Sequence, residues 1–373
     1  MNWGIIMNNK PIRVLMIGPS LELSNGVASF QMNYIKNISS KDVEFDFAIL
    51  YERPSPYIDQ IKNRGGKIYL VPKINDIFNH IKISYQIIKE GKYDVVHDNS
   101  LNKTIFLMFF SKILGVPVRI LHSHSAQLGE TKKKKIINSI FLPILKQQCN
   151  LYLACSELAG KCLFKRKKFI FIPNAIDMSK YSESVKIRKS VKETFNCQDK
   201  TIIGTVGRIS PQKNPFFAMD VFKEYLKRNP HAMYWWIGTG ILDDEVKEYT
   251  KKIGIENYVK FFGSRSDVNE LYQAMDVLFM PSLFEGLPVT VIEAQAMNLK
   301  CVISDVITQE VEFSNLINWV SLNEKAEKWS IVLDDTVKNC DLIVEKDTDK
   351  FDIKCCAKNL VTIYRNCLDN KGI

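Results

Sequence analysis

One stretch of the chain, residues 276–305, constrains the fold more than any other. It contains two apolar strands, a loop and an amphipathic helix: Val277–Met280, a loop with Pro281, Gly286 and Pro288, a helix from about Val289 to Asn298, and Cys301–Ser304. A strand, a helix and a second strand in this order form a βαβ unit, in which the two strands are parallel. The stretch therefore predicts an α/β fold, with helices covering a parallel sheet.

Two carboxylates in this stretch indicate what it binds. Glu285 lies in the loop, and Glu293 lies eight positions later on the helix. Pro288 is tolerated in a first helical turn, so the amides of residues 289–291 should point into the loop, where helix N-termini attract phosphate. A carboxylate beside a phosphate is repelled unless it faces neutral hydroxyls. We therefore expect a diphosphate ligand with a sugar on each side, one held by Glu285 and the other by Glu293.

A pair of cations is predicted to face the same cleft. The strand Thr201–Ile209 is followed by the loop SPQKNP, which places Arg208 and Lys213 after a strand end. Two cations on a diphosphate can neutralise a departing leaving group without a metal ion. The alternative is that both are ordinary surface cations.

Further strands alternate with helical segments in the first half of the chain: Ile12–Ile17, Phe45–Leu50, Lys67–Val71, Asp94–His97, Val118–His122 and Leu151–Cys155. This alternation predicts a doubly wound parallel sheet, which binds ligands at the carboxyl ends of its strands. His97 and the segment His122–Ser125 should therefore lie at the rim of a cleft. Spacing does not decide between His122 and His124 as the histidine of the site.

Three motifs together resemble the family 4 retaining glycosyltransferases: P-S-x-x-E-G-x-P-x-x-x-x-E-A at 281–294, G-R-x-x-x-x-K-N at 207–214, and I-P-N-A-I-D at 172–177. The resemblance implies the GT-B architecture, which is two Rossmann-like doubly wound domains facing a central cleft. The expected domains are residues 1–185 on the acceptor side, 186–350 on the donor side, and a last helix, 351–373, that packs back on the first domain. The hinge is expected across residues 177–192.

The resemblance also implies a set of site residues. The expected nucleotide-sugar ligands are Gly26, Gly207, Arg208, Lys213, Gly238, Arg265, Glu285, Gly286, Leu287, Pro288, Val289, Thr290 and Glu293. The expected catalytic residues are Glu285, Arg208, Lys213 and either His122 or His124. No cofactor or metal is expected, because Arg208, Lys213 and the amides of residues 286–290 would stabilise the departing diphosphate. No protein nucleophile is assigned, because in this family the donor's own phosphate is thought to take the acceptor proton. The D-x-D sequence Asp347–Asp349, a metal motif in other glycosyltransferases, is expected to be solvated.

The formal net charge of +10 points to an anionic partner: a nucleic acid, a membrane or a small substrate. We expect no nucleic acid, because the chain has no recognised module for it. Residues 131–148 combine Lys132–Lys135 with seven large apolar residues and could lie on anionic lipid or be an ordinary core-facing helix. The resemblance favours the membrane, because many relatives use lipid-linked acceptors at the cytoplasmic leaflet.

Length and composition complete the expectations. The 373 residues suffice for two domains, the longest apolar run is too short to span a bilayer, and the first ten residues lack a signal-peptide core. The nine cysteines are odd in number and lack a C-x-x-C pair, as is typical of a reduced cytoplasmic protein.

We therefore predict a retaining hexosyl- or N-acetylhexosaminyltransferase that uses a UDP-sugar to build a bacterial capsule or exopolysaccharide. The acceptor would be a lipid-linked saccharide, and the enzyme would lie at the inner face of the cell membrane. A sugar-nucleotide epimerase of the same fold and a non-catalytic basic binding protein are the alternatives. The donor sugar and the linkage stay open.

Overall fold

The computed structural model describes residues 10–23, 25–129, 131–339 and 346–369. Its first lobe is a seven-stranded sheet, all parallel, in the order β3-β2-β1-β4-β5-β6-β7. The strands are β1 Ile12–Gly18, β2 Val43–Ile49, β3 Ile68–Leu70, β4 Val95–Asp98, β5 Val118–Ser123, β6 Leu151–Ala154 and β7 Ile170–Phe171. The helices are α1 Gly26–Lys36, α2 Pro56–Asn63, α3 Ile77–Gly91, α4 Ile105–Ile113, α5 Lys132–Gln148 and α6 Glu157–Phe164.

The second lobe is a six-stranded parallel sheet in the order β10-β9-β8-β11-β12-β13. Its strands are β8 Thr201–Val206, β9 Ala232–Ile237, β10 Val259–Gly263, β11 Val277–Met280, β12 Lys300–Ser304 and β13 Ile317–Val320. Its helices are α7 Val185–Thr194, α8 Pro215–Leu226, α9 Asp243–Lys252, α10 Val268–Ala274, α11 Val289–Ala296 and α12 Ala326–Lys338. Strand β13 had no counterpart among the sequence expectations.

Each sheet is buried on both faces, which explains the nearly continuous apolar strands. Alternate residues of β1 enter different cores: Val14 and Met16 pack on one face, and Leu15 and Ile17 pack on the other. Strand β11 divides in the same way between two cores of the second lobe. The predicted α/β class with two doubly wound sheets is confirmed.

The last helix, α13 (Ile353–Asp369), belongs to the core of the first lobe. Its residues Ile353, Leu360 and Tyr364 are fully buried in the cluster that also contains Val14 and Phe30. The strand order reverses at β1/β4 in the first lobe and at β8/β11 in the second. Ligands of doubly wound sheets bind at such switch points, so the loops after these four strands define where to look for a site.

Candidate functional site

A cleft of about 1310 Å³ lies between the two lobes at the carboxyl ends of their strands. The first lobe contributes residues after β1, β4 and β5, and the second contributes the loops after β8 and β11. Eleven of the sequence-predicted residues line it: Gly26, His124, Gly207, Arg208, Lys213, Glu285, Gly286, Leu287, Pro288, Val289 and Thr290. His122, Gly238, Arg265 and Glu293 are not among the lining residues.

The loop after β11 brings a helix N-terminus to the cleft. Pro288 is the N-cap of α11, and Val289 and Thr290 form its first turn against the cavity. The backbone amide of Val291 is hydrogen-bonded to the Pro288 carbonyl at 3.2 Å, so the expectation of three available amides was wrong by one residue. The two amides before it remain suitably placed for an anion at the positive end of the helix.

An ion pair joins the two loops of the second lobe. Lys213 Nζ lies 2.7 Å from Glu285 Oε1, and the two side chains are only 12% and 9% exposed. Gln212 Nε2 donates to the other carboxylate oxygen at 3.0 Å and to the Phe284 carbonyl. Sequence reasoning missed Gln212, although its position next to Lys213 was a usable signal. The pair keeps both charges in place in a partly desolvated wall, where neither would be stable alone.

The end of β8 shapes the backbone beside this ion pair. Gly207 has φ +151° and Gly238 has φ +134°, and a Cβ at position 238 would lie 2.2 Å from the Gly207 carbonyl oxygen. Gly238 therefore supports the Gly207–Arg208 backbone from behind and does not itself face the cleft. Arg208 is exposed at the cleft wall.

Glycine at position 286 is required by contact between the lobes. A Cβ there would lie 2.2 Å from the carbonyl oxygen of His124 in the first lobe. A neighbouring contact crosses the same boundary, since Asn174 Nδ2 donates to the Leu287 carbonyl at 2.8 Å. The anion loop of the second lobe thus rests directly on the histidine segment of the first.

Of the two candidate histidines, His124 is the one that lines the cleft. Its Nε2 lies 2.8 Å from Asn99 Oδ1, and because the Asn99 amide nitrogen donates to the Ile17 carbonyl, Nε2 carries the proton. Burial lowers the pKa of His124 to about 3. His124 is therefore neutral at physiological pH, with its Nε2 proton donated to Asn99 and a lone pair on Nδ1.

His122 lies behind His124 in a column of stacked rings. The His122 ring centroid is 4.1 Å from that of His124, and His122 Nδ1 is 3.0 Å from His97 Nε2. His97 Nδ1 in turn lies 2.8 Å from the Tyr364 hydroxyl on α13. Burial lowers the pKa of His97 to about 3 and holds that of His122 well below its usual value, so both rings are neutral. The column packs the first lobe against the last helix.

Glu293 and Arg265 have protein partners instead of facing the cleft. The Tyr181 hydroxyl donates to Glu293 Oε1 at 2.6 Å, and the Tyr272 hydroxyl donates to Oε2 at 3.0 Å. Burial raises the pKa of Glu293, and the two hydroxyl donors oppose that rise. Arg265 is paired with Asp267 at 2.5 Å.

On the first-lobe side, the turn after β1 is the first segment of the chain that lines the cleft. Asn25 caps α1, its Oδ1 accepting from the Val27 amide at 3.0 Å, and Asn25, Gly26 and Val27 all line the cavity. Among the described residues, apart from its two chain neighbours and the backbone of its own helix, no atom lies within 4 Å of a Cβ built on Gly26, so open space adjoins this glycine.

The remaining wall of the first lobe is apolar and is bordered by lysine side chains. It is formed by side chains of α4 and α5, namely Ile105, Phe106, Phe109, Ile137, Phe141 and Ile144, with Lys73, Lys103 and Lys134 beside them. Sequence reasoning identified α5 but not the contribution of α4. A groove of this composition can accommodate a hydrocarbon chain next to an anionic group.

The described parts of the chain contain neither a metal-binding cluster nor a membrane-spanning helix. Among residues 10–23, 25–129, 131–339 and 346–369, no three His, Cys, Asp or Glu residues are grouped so that they could hold a metal ion. Within the same ranges, every helix is too short or too polar to cross a bilayer. Asp347 and Asp349 do not line the cleft.

Two Rossmann-like lobes, with an anion loop, two cations and the Glu285 carboxylate at the cleft between them, define a GT-B glycosyltransferase. A family model for glycosyl transferases group 1 matches residues 186–339. EpsF of Bacillus subtilis (strain 168), named as a glycosyltransferase, is 30% identical over 336 residues, which is 87% of each chain. The chain therefore belongs to the group 1 glycosyltransferases.

Two further comparisons extend this assignment. The Escherichia coli UDP-Gal:alpha-D-GlcNAc-diphosphoundecaprenol alpha-1,3-galactosyltransferase is 26% identical over 282 residues, 70% of this chain and 72% of that protein. The crystal structure of Anabaena Alr3699/HepE in complex with UDP and glucose superposes with a TM-score of 0.74 at 14% identity, covering 96% of this chain and 97% of that one. The second likeness shows the shared fold.

Proposed function

We propose that this glycosyltransferase moves a hexosyl or N-acetylhexosaminyl group from a UDP-sugar to a lipid-linked saccharide, with retention at the anomeric carbon. The product would be part of a bacterial capsule or exopolysaccharide. The observation that carries the proposal is the convergence of Arg208, Lys213 and the α11 N-terminus on one cleft wall that also holds Glu285.

Donor binding is proposed to occur on the second lobe. The diphosphate would lie against the amides of residues 289–290, with Arg208 and Lys213 opposing its charge as the leaving group departs. Lys213 would then divide its interaction between the phosphate and Glu285, to which it is already paired. This would fix the Glu285 carboxylate so that its oxygens orient the hydroxyls of the transferred sugar.

The reaction is proposed to need no protein nucleophile. The donor's own phosphate would take the proton of the attacking hydroxyl. His124, which is neutral and fixed by Asn99, would contribute a polar contact to the transferred sugar from the opposite wall. The contacts of Gly286 and Leu287 with the first lobe would bring acceptor and donor together.

The apolar wall supports a lipid-linked acceptor. Phe109, Phe141 and Ile144 are 40%, 42% and 46% exposed although they are large apolar residues. Lys103 and Lys134 lie beside them and would suit the diphosphate of such an acceptor. The Escherichia coli relative acts on a diphosphoundecaprenol-linked sugar, as its name states. We propose the same acceptor class here.

Helix α5 also supports attachment to the cytoplasmic membrane surface. Only Leu142, Leu145 and Gln148 of this helix are buried, whereas Ile136 and Ile140 are 62% and 61% exposed next to Lys132–Lys135. An ordinary core-facing helix would bury its isoleucines, so the membrane alternative is favoured.

Radiolabelled UDP-sugars with a diphosphoprenyl-linked saccharide as acceptor test the proposal. We expect label in the lipid fraction and α-configured product from an α-linked donor. An inverted product would refute retention. Conversion of the nucleotide sugar without acceptor would instead identify an epimerase, and salt-sensitive nucleic-acid binding without UDP stabilisation would identify a basic binding protein.

A further inference from the structure

Two lysines of the first-lobe wall converge on one aromatic ring. Lys73 Nζ lies 5.6 Å and Lys103 Nζ lies 5.5 Å from the centroid of the Tyr51 ring, and all three residues line the cleft. Tyr51 follows β2, whereas Lys73 follows β3 and Lys103 follows β4. Because β3, β2, β1 and β4 are neighbours in this order, the two lysines come from opposite sides of the strand that ends at Tyr51.

The two ammonium groups share the ring without an acid between them. Within the described ranges, neither Lys73 nor Lys103 forms an ion pair. Asp76, three residues after Lys73, instead caps α3 and accepts from the side-chain amide of Asn79 at 2.8 Å. Each ammonium group is attracted to the ring, but the two groups repel each other. An anion bound between them would remove that repulsion.

The turn that carries Lys103 has a defined geometry. Asp98, which is fully buried, accepts from the Ser100 amide at 2.8 Å and from the Thr104 hydroxyl at 3.3 Å. Leu101, between these two donors, has φ +61°, in the left-handed region that bulky side chains avoid. Such a conformation persists only where the surrounding structure imposes it, and it is concentrated at binding sites. Lys103 is therefore held by a built turn at the cleft.

The lysines lie where the apolar wall begins. Helix α4 starts two residues after Lys103, and its side chains Phe106 and Phe109 line the cleft. Ile74, next to Lys73, is 50% exposed and lines the cleft as well. A charged group at the lysines and a hydrocarbon chain along α4 can therefore belong to one ligand.

We propose that Lys73 and Lys103, beside Tyr51, bind the diphosphate of a prenyl-diphosphate-linked acceptor, and that the α4 wall holds its first isoprene units. The inference rests on the proposed function, because it needs a lipid-linked acceptor in the cleft. It adds a second diphosphate subsite, on the wall opposite Arg208 and Lys213. The cleft then binds two diphosphates at once, and the lysine pair selects a prenyl chain with a charged head over a neutral one.

The test is calorimetric binding of farnesyl diphosphate and of farnesol, with saturating UDP present so that the donor subsite is filled. We expect the wild type to bind farnesyl diphosphate at least about tenfold more tightly than farnesol, since both lysines make charge-assisted hydrogen bonds to the phosphates. Lys73→Gln/Lys103→Gln removes the charges and keeps most of the side-chain length. Its preference should shrink to about threefold or less, with farnesol binding unchanged.

Lys82→Gln/Lys89→Gln is the matched control. It removes the same two charges, Lys89 Nζ lies 5.3 Å from the Tyr85 ring, and neither lysine is among the cleft-lining residues. This control should keep the wild-type preference. Loss of the preference in the control, or its survival in Lys73→Gln/Lys103→Gln, would overturn the inference alone.

Two further results separate the remaining outcomes. Inorganic pyrophosphate that binds as tightly as farnesyl diphosphate, or a wild type that does not distinguish farnesyl diphosphate from farnesol, would also overturn the inference, because no site would then join the charged head to the chain. Absence of UDP binding to the wild type would overturn the proposed function itself.

Discussion

The two walls of the cleft differ in charge and polarity. The second-lobe wall carries fixed charge: the paired Lys213 and Glu285, Arg208 and the positive end of α11. The first-lobe wall offers neutral His124, apolar side chains of α4 and α5, and lysines at its edge. The same doubly wound fold thus produces one wall for a compact dianion and another for an amphiphilic chain. Function lies in the loops that follow the strands, and the sheets only position them.

Removing the charge of the second-lobe wall should have the largest effect. Lys213→Ala leaves Glu285 with its charge but without its cation, and leaves the departing diphosphate with one cation fewer. We expect the rate of transfer to fall by about 10²–10³-fold. Lys227→Ala, which breaks the exposed pair with Glu224, is the control and should retain the wild-type rate. Wild-type turnover in Lys213→Ala would remove the cationic clamp from the mechanism.

Glu285→Gln tests whether the second-lobe wall orients the sugar independently of binding the diphosphate. The change releases Lys213 from its carboxylate partner, so UDP should bind at least as tightly as to the wild type. Transfer should nevertheless fall by about 10²-fold, because the sugar loses its orienting carboxylate. Parallel calorimetry and initial rates check this. A proportional loss of affinity and rate would contradict the assigned role.

On the first-lobe wall, replacing Lys132–Lys135 by glutamine should weaken binding to vesicles that contain anionic lipid. Each lysine near such a surface contributes about 1 kcal/mol, so sedimentation with vesicles should fall steeply. UDP binding should stay unchanged, because those four side chains are exposed on α5 and the donor wall lies on the other lobe. Unchanged sedimentation would place the membrane face elsewhere.

A smaller effect concerns Asp98, a buried acid of the first lobe that forms no ion pair with the described residues. Asp98 accepts from the Ser100 amide and hydroxyl, and burial raises its pKa to about 7. The folded protein therefore binds this proton more tightly than the unfolded chain, whose aspartate titrates near about 4. The contribution to the free energy of unfolding is present at about pH 4 and is lost as the pH rises to about 7.

Asp98→Asn removes that titration and should flatten the dependence of stability on pH over this range. Urea unfolding at pH 5 and pH 7 measures it in both proteins. An equally steep fall in the variant would show that the buried carboxyl of Asp98 is not its source.

The sequence predicted most of the second-lobe wall, because its residues lie on two continuous motifs after strands β8 and β11. It predicted less where the contact is between distant segments. Tyr181 and Glu293 are 112 positions apart, so no local pattern shows that the acid is already hydrogen-bonded. His122 and His124 are two positions apart and share one face of the strand, so alternation cannot separate them. They differ because β5 ends at Ser123, which leaves His124 in the loop that lines the cleft, and strand ends are not predicted to one residue. The contribution of α4 to the apolar wall could not be predicted, because a helix that packs on an ordinary core has the same apolar face.

The most direct test of the account compares the binding of UDP with that of uridine by calorimetry, in the wild type and in the Arg208→Ala/Lys213→Ala double variant. If the cleft binds a diphosphate through these cations and the α11 amides, wild-type protein should bind UDP at least about 100-fold more tightly than uridine, and the double variant should lose most of that difference. Equal binding of UDP and uridine by the wild type, or an undiminished preference in the double variant, would contradict it.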